Sequence, residues 1–140
     1  MNILFLIATP NIYGGTPKKL LDMVKHSRNR CVVYFWSEAY NEKNALFQEA
    51  GAETYTGNYG QNIFKHVRSI IKIVDKHSID IIQTQFSFGE TLGYFVKLLR
   101  PKVKLIVAFV GPLNPPLIKR IILNRFYKRV DAFIYISEYV

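Results

Sequence analysis

Five short apolar runs recur along the chain: "NILFLIA" (2–8), "CVVYFW" (31–36), "DIIQTQ" (80–85), "KLIVAFV" (104–110) and "AFIYIS" (132–137). Each is continuous rather than alternating, the pattern of strands buried on both faces. Helical periodicities separate them. Leu20, Leu21 and Val24 share one face of a first helix. Ile63, Val67, Ile70, Ile71 and Val74 stripe a second, with Lys65, Arg68, Lys72 and Lys76 turned mostly away. Phe88, Leu92, Phe95, Val96 and Leu99 stripe a third. A shorter helix around 42–50 ends at Gly51, a natural residue just past a helix end, and leads into a minor strand at "AETYT". Strand–helix alternation builds a parallel sheet with helices on both faces. The expected fold is therefore α/β, a Rossmann-like three-layer sandwich around a mostly parallel, doubly wound sheet.

The 140 residues fit one domain, 1–140, with nearly half of them apolar, which argues against disorder. Cys31 is the only cysteine, so no internal disulfide can form. No run has the length of a membrane-spanning helix, and residues 2–8 are too short for a secretory signal. The last strand runs into "SEYV" where a further helix is expected, as in a piece of a longer protein.

The formal net charge is +9, concentrated at the two ends. Residues 1–30 carry five cations and one acid, and residues 100–140 carry eight and two. An anionic partner fits this balance, whether nucleic acid, acidic lipid or a phosphorylated ligand; so does a solvated lysine-rich surface. The segment "LIKRIILNRFYKRV" (117–130) is both apolar and cationic, but its charges do not collect on one side. It fits a helix lying on an anionic membrane, or a core helix with basic edges.

In open α/β sheets ligands bind beyond the carboxyl ends of the strands, here the loops 9–16, 84–90, 110–116 and 137–138. The first contains "IYGGTPKK". Its glycines permit a sharp turn and close approach, Thr16 suits an N-cap and Pro17 the first helical position. The following helix start, with Lys18 and Lys19, is either a well-capped end or an anion site. Neither G-x-G-x-x-G nor a P-loop is present. In the second loop Ser87 and Glu90 have capping-box spacing, while Gln85 is open to a hydrogen-bonding role toward sugar hydroxyls. In the third, "VGPLNPP", three prolines make a stiff wall. His26, His66 and His77 lack metal-ligand spacing, no nucleophile elbow occurs, and Cys31 is expected to be buried and inert. Asp80 and Asp131 precede strands, at the sheet end opposite the expected site, where residues serve folding more often than chemistry.

Taken in order, "MNILFLIATPNIYGGTPKKLLDMVKH", "SIDIIQTQFSFGETLGYFVKLL", "KLIVAFVGPLNPP" and "VDAFIYISE" resemble successive segments of the N-terminal domain of family 4 glycosyltransferases. The resemblance implies the N-terminal, acceptor-side half of a GT-B fold, with the donor-binding C-terminal domain absent from this chain. It implies a retaining glycosyltransferase that moves a sugar from a nucleotide-sugar donor to a saccharide or lipid-linked acceptor in surface polysaccharide synthesis. The chain alone would then be inactive. By the same resemblance Gly14, Gly15, Thr16 and Lys18 form the donor-phosphate loop, and Gln85, Ser87 and Asn114 face the acceptor. No metal or cofactor is implied beyond the donor, which is a substrate. The partners would be the nucleotide-sugar, the acceptor and an anionic membrane surface, with no nucleic acid, in the cytoplasm or on the inner face of the membrane. Two departures stand out. Gln83 and Gln85 occupy the places of family histidines, and Val110 the place of a cleft histidine often tied to catalysis. Val110 suits an alternative, a non-catalytic saccharide- or membrane-binding module.

Overall fold

The computed structural model describes residues 1–11, 15–109 and 128–135. Six strands form one sheet: β1 (Asn2–Ile7), β2 (Arg30–Phe35), β3 (Glu53–Thr56), β4 (Ile81–Gln85), β5 (Lys104–Phe109) and β6 (Ala132–Tyr135). Four helices connect them: α1 (Gly15–His26), α2 (Asn44–Glu49, preceded by a 3-10 turn), α3 (Ile63–His77) and α4 (Phe86–Leu99). The strand order is β3-β2-β1-β4-β5-β6 and every pairing is parallel. This is the doubly wound Rossmann-like arrangement expected from the apolar runs.

Two cores lie on opposite faces of the sheet. Leu20, Leu21 and Val24 of α1 and Phe47 of α2 pack with Phe5, Ile7, Val33 and Phe35. On the other face Val67, Ile70 and Val74 of α3 and Leu92 and Val96 of α4 pack with Leu4, Leu6, Val32, Tyr34, Ile82 and Leu105. Alternation along each strand sends successive side chains to the two helical layers, so both faces must be apolar. That is why the runs read as continuous.

Local chemistry sets the element ends. Asn62 caps α3 by accepting from the Lys65 N–H at 3.1 Å. Gly51 (φ 103°) ends the α2 segment in the left-handed region, as its sequence position predicts. The two strand-preceding aspartates act as clamps between neighbouring strand starts. Asp80 Oδ2 accepts from the Asn2 N–H at 2.8 Å, and Asp131 Oδ2 accepts from the Leu105 N–H at 2.8 Å and from Lys97 Nζ at 3.1 Å. Burial pushes the Asp131 carboxyl up, but the Leu105 amide and the Lys97 ammonium outweigh it and hold it below its ordinary value. Cys31 is buried, as expected.

Two local expectations fail. Helix α4 begins at Phe86 with Gln85 at the N-cap, so Ser87 is already inside the first turn and does not hold the N-cap position that its spacing from Glu90 suggests. The α4 stripe is also rotated. Leu92 and Val96 are buried, whereas Phe95 and Leu99 are exposed. The cause is the pair Gly89 and Gly93, which form the inward face. A Cβ at Gly89 would lie 2.8 Å from the Trp36 ring, and one at Gly93 2.6 Å from Thr84 Cγ2. The helix sits close to the sheet on its glycines, and a hydrophobic stripe cannot register faces made by residues without side chains.

Candidate functional site

The chain winds outward from β1 to β3, then crosses back to continue through β4, β5 and β6. The reversal falls between the adjacent strands β1 and β4, which pair from Ile3↔Ile81 to Leu6↔Thr84. At such a switch point the connections leave to opposite faces and open a crevice beyond the carboxyl ends of the strands. Helix α1 leaves β1 toward one layer and α4 leaves β4 toward the other, so the two helix N-termini flank the crevice. Their free N–H groups make its rim electropositive.

On the α1 side stand Gly15, Thr16 and Lys18. Gly15 and Lys18 are exposed, Thr16 is half-buried, and the first turn holds no acid to oppose an anion. Thr16 lies within the first turn rather than before it, while Pro17 is buried. On the β4 side stands Gln85, only 5% exposed. Thr84 touches the α4 side of the sheet at Gly93, so by alternation Gln85 points to the α1 side, toward the layer of Thr16 and Lys18. Its side-chain carbonyl, Oε1, is buried and has no hydrogen-bond partner among the described residues, and neither has the buried hydroxyl of Thr84. An unsatisfied buried acceptor is costly, which makes Gln85 Oε1 a ready receiver for a ligand O–H or N–H. The structure thus brings Gly15, Thr16, Lys18 and Gln85 to one crevice. Gly14, Val110 and Asn114 lie outside the described residues, and of Ser87 only the backbone position, in the first turn of α4, is described.

The neighbouring wall is built from aromatic and histidine side chains. Trp36, just past β2, packs edge-on against Phe88 with ring centroids 5.5 Å apart. Beside them His66 is fully buried. Its Nε2 lies 2.9 Å from the Gly60 carbonyl, which can only accept, so Nε2 carries the proton and donates. Nδ1 therefore accepts from the Tyr34 hydroxyl at 2.6 Å in the neutral ring. Burial pushes the Tyr34 hydroxyl pKa well up and keeps it a donor. This bridge ties the β3–α3 loop to the sheet. It passes under Gly57, where a Cβ would collide with Tyr34 Oη and lie 2.8 Å from His66 Nδ1. All three histidines fall on helices, and among the described residues no cluster of His, Cys, Asp or Glu could hold a metal ion.

One residue escaped notice as anything but a cap. Glu90, one turn into α4, is half-buried, and burial pushes its carboxyl up to about 7. Lys97, seven residues on and on the same flank of the helix, reaches Asp131 before β6. Glu90 therefore faces the β5–β6 side of the crevice wall. Its spacing from Ser87 suggested a capping box, and nothing in a single sequence distinguishes that from a desolvated acid.

Open grooves also lie elsewhere. One of about 380 Å³ is lined by residues at the starts of β2 and β3, and another by residues preceding β4 and β5. Both are at the amino edge, away from the crevice. No described helix is long and apolar enough to cross a membrane.

No protein-family model and no curated protein matches the sequence. Solved structures match the fold. A glycosyltransferase from Rickettsia africae aligns over 97% of this chain and 37% of its own, with a TM-score of 0.76 and 15% identity. The lipopolysaccharide outer core galactosyltransferase WaaB, in its apo form, aligns over 99% of this chain and 40% of its own, with a TM-score of 0.69 and 15% identity. A dTDP-glucose 4,6-dehydratase from Bacillus anthracis, in complex with NAD, aligns over 99% and 56%, with a TM-score of 0.61 and 12% identity. The chain thus spans under half the length of each of these two transferases. At these identities the likeness is one of fold: the α/β unit of this chain resembles glycosyltransferase domains.

Proposed function

We propose that this chain is the acceptor-side Rossmann-like domain of a nucleotide-sugar-dependent glycosyltransferase of the retaining, family 4 type. The observation that carries the reading is the crevice between β1 and β4, with the α1 N-terminus on the β1 side and the buried Oε1 of Gln85, unpartnered among the described residues, on the β4 side. The helix start, with Gly15, Thr16 and Lys18, suits a diphosphate. Gln85 suits a hydroxyl, and a sugar nucleotide or a saccharide acceptor supplies both groups. The transferases among the structural neighbours support the choice of reaction. The sequential resemblance of four segments to family 4 supports the choice of family.

In this reading catalysis rests on positioning the acceptor and on stabilising the leaving diphosphate. Backbone N–H groups and Lys18 act on charge that develops in the transition state. The acceptor is a saccharide or a lipid-linked saccharide, and the partner domain that binds the nucleoside lies outside this chain. No metal is required, because the helix end and the lysine provide the positive field.

The test is an NMR titration of the chain with UDP, GDP and ADP and with their glucose or mannose conjugates. Amide shifts of Gly15, Thr16 and Lys18, lost in Lys18→Ala, support the reading. Shifts confined to the amino-edge grooves, or none at millimolar ligand, refute it.

A further inference from the structure

The two helical layers differ in what they show to solvent. On the α3–α4 layer Phe64 is 84% exposed, and Phe95, Leu98 and Leu99 of α4 are exposed as well. On the α1–α2 layer Met23 is the only large apolar helix residue of this kind among the described residues. Beside Phe64 the outward face of α3 carries Lys65, Arg68 and Lys72, all exposed and without an acidic partner among the described ion pairs. Asp75, the one acid on that face, is taken by Arg100 through two bonds of 2.8 and 2.7 Å. The opposite layer mixes its lysines with Asp22, Glu42 and Glu49.

We infer that the outward face of α3 and α4 is the surface by which this domain docks on an anionic lipid bilayer. The spacing of Phe64, Arg68 and Lys72, four residues apart, keeps aromatic and cations on one side of the helix. A bilayer uses both classes of group at once. Acyl chains take the apolar side chains, and acidic headgroups take the uncompensated cations. Nucleic acid would use the cations but leave Leu98 and Leu99 in water. Phe64 stands in the first turn of α3, at the carboxyl edge of the sheet. A docked domain therefore holds the β1–β4 crevice near the membrane plane, within reach of a lipid-linked substrate. The docking surface stands on exposure and charge alone and does not depend on the transferase reading.

The experiment is co-sedimentation of the 140-residue chain with vesicles of phosphatidylglycerol and phosphatidylcholine, and with pure phosphatidylcholine, at about 0.1 M salt. Binding to the anionic vesicles alone is expected. Arg68→Glu with Lys72→Glu should weaken it by about twenty-five-fold or more, taking about fivefold per cation, and Phe64→Ser by about tenfold. Lys25→Glu with Arg28→Glu makes the same charge change on the other layer and should cost less than about threefold, since it leaves only the long-range field altered. Circular dichroism of each variant checks that these exposed substitutions leave the fold intact. Equal losses from the two double variants, an unchanged affinity of Phe64→Ser, or no preference for anionic vesicles would overturn the inference. So would tighter binding to single-stranded RNA with the same dependence on Arg68 and Lys72. The nucleotide titration is read in solution without lipid, so either result can fail without the other.

Discussion

Glu90 sets up a stability–pH relation that runs opposite to that of most carboxylates. Burial raises its folded value from 4.5 to about 7, so the native state holds the proton more tightly than the unfolded chain. The contribution is intact below about pH 4.5, where both states are protonated, and is lost as the pH rises through 7. One pKa unit is worth about 1.4 kcal/mol, which sets a ceiling of roughly 3 kcal/mol. Partial solvent contact lowers the expectation to about 2 kcal/mol. Glu90→Gln keeps the shape of the side chain and removes the ionisation. Urea unfolding followed by the fluorescence of Trp36, the single tryptophan and a neighbour of the α4 start, reads the difference. The variant should match the parent at pH 4 and exceed it by about 2 kcal/mol at pH 8. Taking the difference between the two proteins cancels every contribution they share. A gap that stays flat from pH 4 to pH 8 would show that the carboxyl is not desolvated. A variant less stable at pH 8 would show that the carboxylate has a cationic or donor partner, and the reasoning from burial would fail.

Two further perturbations follow from the close contacts. Tyr34→Phe should cost about 1–3 kcal/mol by leaving His66 Nδ1 buried without a donor, and Gly57→Ala about 1–3 kcal/mol by overpacking. Because both act on the same hydroxyl, thermal unfolding of the double variant should show less than the sum, and full additivity would refute the shared contact. Asp131→Ala should cost about 1–2 kcal/mol through the lost Leu105 and Lys97 bonds. The lowered carboxyl means that this loss, measured by denaturant unfolding, is present above the ordinary aspartate value and fades as the pH falls below it; a loss independent of pH would contradict the ionic share.

The fold was legible because the same signal was written several times. Strands buried between two helical layers must be apolar on both faces, so β1, β2 and β5 appear as uninterrupted runs. The helices between them then leave little freedom in topology. Even the third strand, short and half-exposed at Glu53–Thr56, was marked by Gly51 before it. What misled was α4. Its inward face is made by Gly89 and Gly93, which carry no hydrophobic weight, so the stripe drawn through Phe95 and Leu99 pointed away from the sheet. Those same residues became visible as a surface only once the helix was placed.

Of the candidate site, the part legible in the sequence was the part that backbone chemistry dictates. Two glycines, a threonine and a proline after a strand specify a helix start, and the parallel sheet places that start at the carboxyl edge. Gln85 was legible as a polar residue at a strand end, but its meaning was not. A glutamine at an exposed strand end is solvated, whereas here Oε1 is buried and unmatched, and only packing on both sides of β4 reveals that. Glu90 and His66 are opposite cases of the same limit. Both are polar groups on one helical layer, yet His66 is satisfied at both nitrogens and so fixes a loop. Glu90 is desolvated without compensation. Sequence spacing is silent on satisfaction, because a side chain's partners come from distant parts of the chain: Tyr34 lies 32 residues from His66. Unsatisfied polar atoms are therefore the better guide to where a ligand acts. In this fold one of them, Gln85 Oε1, falls beside the one crevice that topology independently selects.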